Sequence, residues 1–155
     1  MYTERVQEHS SLKVKKSARL IAMNLLARRE HSYTELKQKL MLRSFSAEDA
    51  DQALTQLQQE GLQSDRRFTE NYIRYRAQKG FGPIKIQYEL QQKGVDHMLI
   101  QEFMVAWDQQ WPDLMRQAAY KYTGNKKPLT QETQLKLQKF LQQRGFPLHL
   151  IHTCI

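Results

Sequence analysis

Cysteine occurs once in the 155 residues, as Cys154, so the chain cannot close a disulfide on itself and a disulfide-stapled secreted scaffold is excluded. No apolar run approaches the ~18 residues that cross a bilayer. Residues 1–16 mix both charge signs without an apolar stretch, which does not suit a secretory leader and predicts a cytoplasmic protein. No segment alternates apolar and polar residues with a period of two, so no sheet is expected. Acidic residues are also short: 16 against 24 lysines and arginines, a net charge of +8.

That excess is uneven. Residues 1–16 carry four basic and two acidic side chains, and residues 17–64 balance six against six. Residues 65–110 hold seven against six, and residues 111–155 hold seven against only Asp113 and Glu132, or +5. The positive field lies at the two ends of the chain, and such a field draws polyanions, nucleic acid foremost.

What the sequence does have is a repeat. Leu40-Met41-Leu42-Arg43-Ser44-Phe45 returns as Leu90-Gln91-Gln92-Lys93-Gly94-Val95 and again as Leu141-Gln142-Gln143-Arg144-Gly145-Phe146, at offsets of 50 and 51 residues. Four residues before each leading leucine stands Leu36, Ile86 or Leu137, and that spacing puts the pair on one helix face. Ser46, Asp96 and Pro147 then open the next helices, where Ala50, Ala53, Leu54 and Leu57 match Ile100, Phe103, Met104 and Trp107. Pro83, Pro112, Pro128 and Pro147 stand at helix starts. Gly61, Gly80, Gly94, Gly124 and Gly145 follow periodic segments as helix-ending glycines do. Ser32 with Glu35 forms a capping box.

The expected fold is therefore all-α: three tandem three-helix repeats, at 17–64, 65–110 and 111–155, preceded by a tail or additional helix at 1–16. Helices are expected near 17–29, 32–42, 46–60, 65–79, 83–93, 96–109, 112–123, 130–143 and 147–155. Units this small bury little alone, so neighbours are expected to stack into an elongated, curved body.

Chemistry-bearing constellations are scarce. His149, His152 and Cys154 fall near one another, but structural zinc takes four ligands and no second pair completes the set, so no metal is expected. Cys154 has no activating partner that sequence can name. Gly80-Phe81-Gly82 lacks the third glycine of a dinucleotide loop and the lysine-serine of a P-loop, so no nucleotide cofactor is expected. No catalytic residue is assigned. Phe68, Tyr72 and Tyr75 make a helical stripe that reads as core. Arg67 and Arg74, seven apart, share another face with Asn71 and Gln78 and are candidates for contacting phosphate or an acidic partner. Lys121, Lys126 and Lys127 cluster at a helix end and loop, with Arg116, Lys136, Lys139 and Arg144 nearby in sequence. The helix dipole would favour one or two such charges and leaves the rest to a polyanion.

The motifs, taken in order, resemble those of the RecX family of recombination regulators. Leu25-Leu26-Ala27-Arg28-Arg29-Glu30-His31-Ser32 with Glu35-Leu36 and Lys39-Leu40 resembles its first repeat. Gly61-Leu62, Asp65-Arg66-Arg67-Phe68, Tyr72, Gly80-Phe81-Gly82-Pro83, Ile86, Glu89-Leu90 and Lys93-Gly94-Val95 resemble its second, and Arg144-Gly145-Phe146 the end of its third. Thr69 stands where an alanine is usual. The resemblance covers about residues 17–155 and implies a monomeric helical-repeat protein that lies along the RecA–single-stranded DNA filament. There it would dampen ATP hydrolysis, strand exchange and repressor co-cleavage by binding alone. The docking residues expected on that reading are Arg67, Arg74, Lys121, Lys126, Lys127, Lys136, Lys139 and Arg144, with the N-terminal tail as a further anchor. The competing readings are a free-standing DNA-binding protein, since three-helix units also present recognition helices, and a helical scaffold for an acidic protein.

Overall fold

The computed structural model describes residues 16–155, which form nine α-helices and one 3₁₀ turn, with no strand among the described residues. The tail expected at 1–16 lies, apart from Lys16, outside them. The helices are α1 (Ala18–Leu26), α2 (Tyr33–Leu42) and α3 (Ala47–Gln59), then α4 (Asp65–Gln78), α5 (Pro83–Gln92) and α6 (His97–Trp107). After the turn at Asp108–Gln110 come α7 (Trp111–Thr123), α8 (Gln131–Arg144) and the one-turn α9 (Leu148–Ile151). The first helix ends three residues short of its expected limit, and the last closes at Ile151 instead of running to 155.

Starts and stops have local causes. Ser17, Ser32, Ser46, Asp96 and Thr130 each stand at an N-cap with a side-chain oxygen accepting an orphan backbone N–H, as Ser32 Oγ does from Glu35 N at 3.1 Å. The repeated block is a helix stop: Phe45 N, Val95 N and Phe146 N donate to the carbonyls of Leu40, Leu90 and Leu141 at 3.2, 3.1 and 3.1 Å. This is the six-to-one closure of a helix that exits through a left-handed residue. Gly94 and Gly145 supply that residue in the second and third repeats, whereas Ser44 takes φ +72° in the first.

The chain falls into two compact units, one ending at Asp65 and the other Arg66–Ile155. The core of the first unit includes Leu36, Leu40, Ala50, Leu54 and Leu57, all inaccessible to solvent. The second and third repeats share one core, in which eight buried residues from Phe68 to Met104 pack with eight from Trp111 to Ile151. The matching positions Leu36, Ile86 and Leu137, and Leu40, Leu90 and Leu141, are all buried. Of the aromatic stripe, Phe68 is core and Tyr72 is half-buried with its hydroxyl donating to Glu89 at 2.7 Å. Tyr75 corrects the core expectation: it is exposed, with Lys79 Nζ 5.4 Å from its ring centroid.

Among its described residues, the first unit buries one titratable ring. His31 is almost wholly enclosed, its Nδ1–H donating to the Arg29 carbonyl at 3.0 Å and its Nε2 facing Lys39 Nζ at 3.4 Å. Burial foremost, with Arg29 and Lys39 adding repulsion, pushes its pKa below the ordinary histidine value. The unfolded chain therefore takes up a proton near pH ~6.5 that the folded chain resists. Stability is fully present above that pH and is lost as the pH falls towards the folded value. The urea midpoint of the wild type should drop over that range more steeply than that of His31→Gln; parallel curves would remove His31 as the cause.

Candidate functional site

The basic residues expected to form a docking surface do not all do the same work. Arg67, half-buried on α4, has interactions within the protein. Arg74 is exposed but spans one turn to Glu70, with Nη2 3.1 Å from Oε1. Lys136 on α8 likewise reaches Glu132 at 3.2 Å, and Arg116 on α7 pairs with Asp113. Exposed one-turn pairs of this kind contribute only about 0.2–0.5 kcal/mol each. Their consequence is electrostatic. Both carboxylates of residues 111–155 are already engaged.

That leaves Lys121, Lys126, Lys127 and Lys139, all exposed and without an ion-pair partner among the described residues. Lys121 sits in the last turn of α7, Lys126 and Lys127 in the connection to α8, and Lys139 on α8 itself. Four cations without a counter-charge on one helix–loop–helix segment make a local positive field that Coulomb attraction directs at an anion.

Arg144 is placed differently. Its Nη1 donates to the Lys79 carbonyl at the end of α4, 3.3 Å away, and its guanidinium lies 4.5 Å from the Phe81 centroid and 5.0 Å from that of Phe140. Arg76 and Lys85 approach the same Phe81 ring at 3.8 and 5.0 Å, so Phe81 serves as a cation–π hub. Arg144 thus ties the third repeat to the second while one side of it stays accessible.

Beside it, between the end of α4, α7 and α8, lies a pocket of about 250 Å³. Lys79, Lys121 and Arg144 line it, with no carboxylate, together with Gln117 and the rings of Tyr122 and Phe140. Those rings stack at 4.3 Å between centroids and 13° between planes. Cations around a stacked aromatic pair suit a phosphate-bearing planar ligand, because every nucleobase has a π-face. Of the expected residues, the structure brings Lys121 and Arg144 together here; Arg67 and Arg74 do not line this pocket. Lys79, Tyr122 and Phe140 were missed by sequence reasoning. Only the neighbouring pair Lys121-Tyr122 was a signal, since Lys79 and Arg144 meet across 65 residues of chain.

The terminal histidines do not converge. His149 and His152 are exposed, Cys154 is half-buried against the core, and no group of three or more metal-binding side chains occurs among the described residues. No helix among the described residues is long and apolar enough to cross a membrane.

Fold and surface together define an all-helical repeat protein with a basic, partly aromatic face. Two family models match the chain, "RecX, second three-helix domain" over residues 64–104 and "RecX, first three-helix domain" over residues 18–57. "Regulatory protein RecX" of Legionella pneumophila (strain Corby) is 41% identical over 130 residues, covering 84% of this chain and 87% of that protein. "Regulatory protein RecX" of Pseudomonas fluorescens (strain SBW25) is 37% identical over 139 residues, covering 87% of each. The crystal structure of RecX from Lactobacillus salivarius superposes with a TM-score of 0.70 at 19% identity, covering 88% of this chain and 90% of that one. A second crystal structure, of a regulatory protein RecX, gives 0.72 at 19% identity over 88% of this chain and 70% of that one. At that identity the structures speak for the fold alone. The chain belongs to the RecX family of regulatory proteins.

Proposed function

We propose that this chain regulates the RecA recombinase by binding, as a monomer and without a cofactor, to the RecA–single-stranded DNA filament in the cytoplasm. There it lowers ATP hydrolysis, strand exchange and co-protease activity without being an enzyme itself. The observation that supports this reading is the set of four lysines on α7, the following loop and α8 that no carboxylate of the described residues neutralises. In a RecX family member, such a surface fits a protein filament that carries a phosphate chain along its groove. The three-repeat division at 17–64, 65–110 and 111–155 belongs to the same reading, with the third repeat and the N-terminal tail as the electrostatic anchors and Arg67 and Arg74 as a central contact.

The direct test is RecA ATPase on single-stranded DNA with increasing amounts of this protein. Sub-stoichiometric to equimolar addition should slow hydrolysis, while the protein alone releases no phosphate. An unrelated ATPase that depends on single-stranded DNA should be slowed far less at the same amounts. Equal inhibition of both enzymes would show competition for DNA and favour a free-standing DNA-binding protein.

A further inference from the structure

The first repeat balances its charges in sum, yet the structure segregates them. Arg19 holds Glu60 in a two-pronged pair at 2.6 and 3.0 Å, Arg29 meets Glu35 at 3.1 Å, and Lys37 meets Asp51 at 3.0 Å. Lys39 faces the His31 ring. Apart from Lys39, three cations of this unit have no carboxylate partner among the described residues: Lys16, Arg28 and Arg43. All three line one hollow of about 420 Å³, and no carboxylate does.

Its construction is simple. One face of α1 and its exit supplies Ile21, Asn24, Leu25 and Arg28 at the i, i+3, i+4, i+7 spacing. Arg43 caps the far end of α2, and Phe45, half-buried, begins the connection to α3. The helix dipole accounts for a cation at each helix end. It does not account for two such ends and Lys16 meeting over the same hollow with every carboxylate outside it.

We infer that this hollow is a second nucleic-acid site, which receives one nucleotide of a single strand. Arg28 and Arg43 would hold the phosphodiester, for guanidinium forks match the paired oxygens of a phosphate. The volume lies within the ~300–1,000 Å³ typical of small-molecule pockets, and so exceeds what a bare oxyanion needs. Phe45, Ile21 and Leu25 form an apolar floor for the base, and the Asn24 amide offers it both a donor and an acceptor. A nucleotide engages the whole lining at once, its phosphate meeting the cations and its base meeting the Phe45 ring and the Asn24 amide. This inference draws on the filament reading only in taking single-stranded DNA as the source of the strand.

The test uses the full chain without RecA. Fluorescence anisotropy of a labelled oligothymidylate should report binding by the wild type. The double variant Arg28→Gln/Arg43→Gln should bind about tenfold more weakly at ~50 mM salt, with a salt slope shallower by about 1.4, the value for two phosphate contacts on a single strand. Phe45→Leu should weaken binding without changing that slope. Lys37→Gln/Lys39→Gln removes the same charge outside the hollow and should bind like the wild type. Thermal midpoints of the Arg28 and Arg43 variants should match the wild type, because both side chains are exposed. The inference is overturned if the wild type does not bind the oligonucleotide, or if the two double variants behave alike. It is also overturned if the Arg28/Arg43 variant binds the oligonucleotide normally but loses the filament, which would assign the hollow to an acidic protein surface. RecA inhibition that survives any of these results leaves the proposed function standing, so the two readings fail separately.

Discussion

Gly145→Ala should destabilise the second unit by roughly 3–6 kcal/mol, from left-handed strain together with two disrupted backbone hydrogen bonds. Gly145 ends α8 at φ +98°, where any side chain is strained. Strain is the smaller part. A Cβ at this position would stand 2.5 Å from Lys85 Cβ and 2.6 Å from Lys85 N, both closer than van der Waals contact permits. Across the same seam Gly82 N donates to the Arg144 carbonyl at 2.7 Å and Ile84 N to the Gly145 carbonyl at 2.9 Å. Gly82 and Ile84 thereby satisfy two orphan amides around the start of α5 with the last carbonyls of α8, a pairing that no side chain can fit between. Gly124→Ala is the matched control, since Gly124 has φ +64° and nothing within 4 Å of its would-be Cβ. That variant should lose only about 1 kcal/mol, the conformational cost alone. Urea denaturation of the three proteins gives the comparison, and equal losses for the two variants would refute the seam.

Neutralising Lys121, Lys126, Lys127 and Lys139 together should change filament binding through its salt dependence. If each contacts one phosphate of a single strand, the slope of log K against log salt becomes shallower by about 2.8. The affinity gap between wild type and variant then narrows about fifty-fold between ~50 and ~200 mM salt. Stability should barely move, because the four side chains are exposed and unpaired. The informative comparison removes the same number of charges from cations that already have partners: Lys37, Arg74, Arg116 and Lys136. That variant should keep the wild-type slope within about one unit, since its carboxylates already screen those positions. Identical isotherms for the two quadruple variants would mean that net charge, and not this face, governs binding.

Helix order was legible in the sequence because its signals are local. Serine, threonine and aspartate caps, helix-ending glycines and the four-residue aliphatic spacing each act within a turn or two, and they lie where the periodicity puts them. Partnership was not legible. Arg74 and Lys136 look like free cations in the sequence, and the structure pairs each with a carboxylate one turn away. Arg144 looks like part of a basic cluster and instead grips Lys79 and Phe81, 65 and 63 residues earlier. Gly80-Phe81-Gly82-Pro83 reads as a helix stop followed by a helix start. That is correct locally, but nothing in it reveals that Gly82 lies against the backbone of Gly145. Charge counts by segment also hid the first-repeat hollow, because a zero sum says nothing about where the unpaired charges stand.

The shared core of the second and third repeats bears on how this chain can be divided. In a simple array, one repeat is the piece that can be excised, duplicated or exchanged while its neighbours persist. Here Trp111, Met115, Leu137, Leu141 and Phe146 belong to the same buried cluster as Phe68, Ile86, Leu90 and Ile100. Cutting between α6 and α7 would strip each half of the other's apolar cover and open the Gly82–Gly145 seam. The smallest part containing α4 that keeps its core whole is thus Arg66–Ile155 with Asp65 at its head, and a cut placed at the boundary of the sequence repeat divides that core.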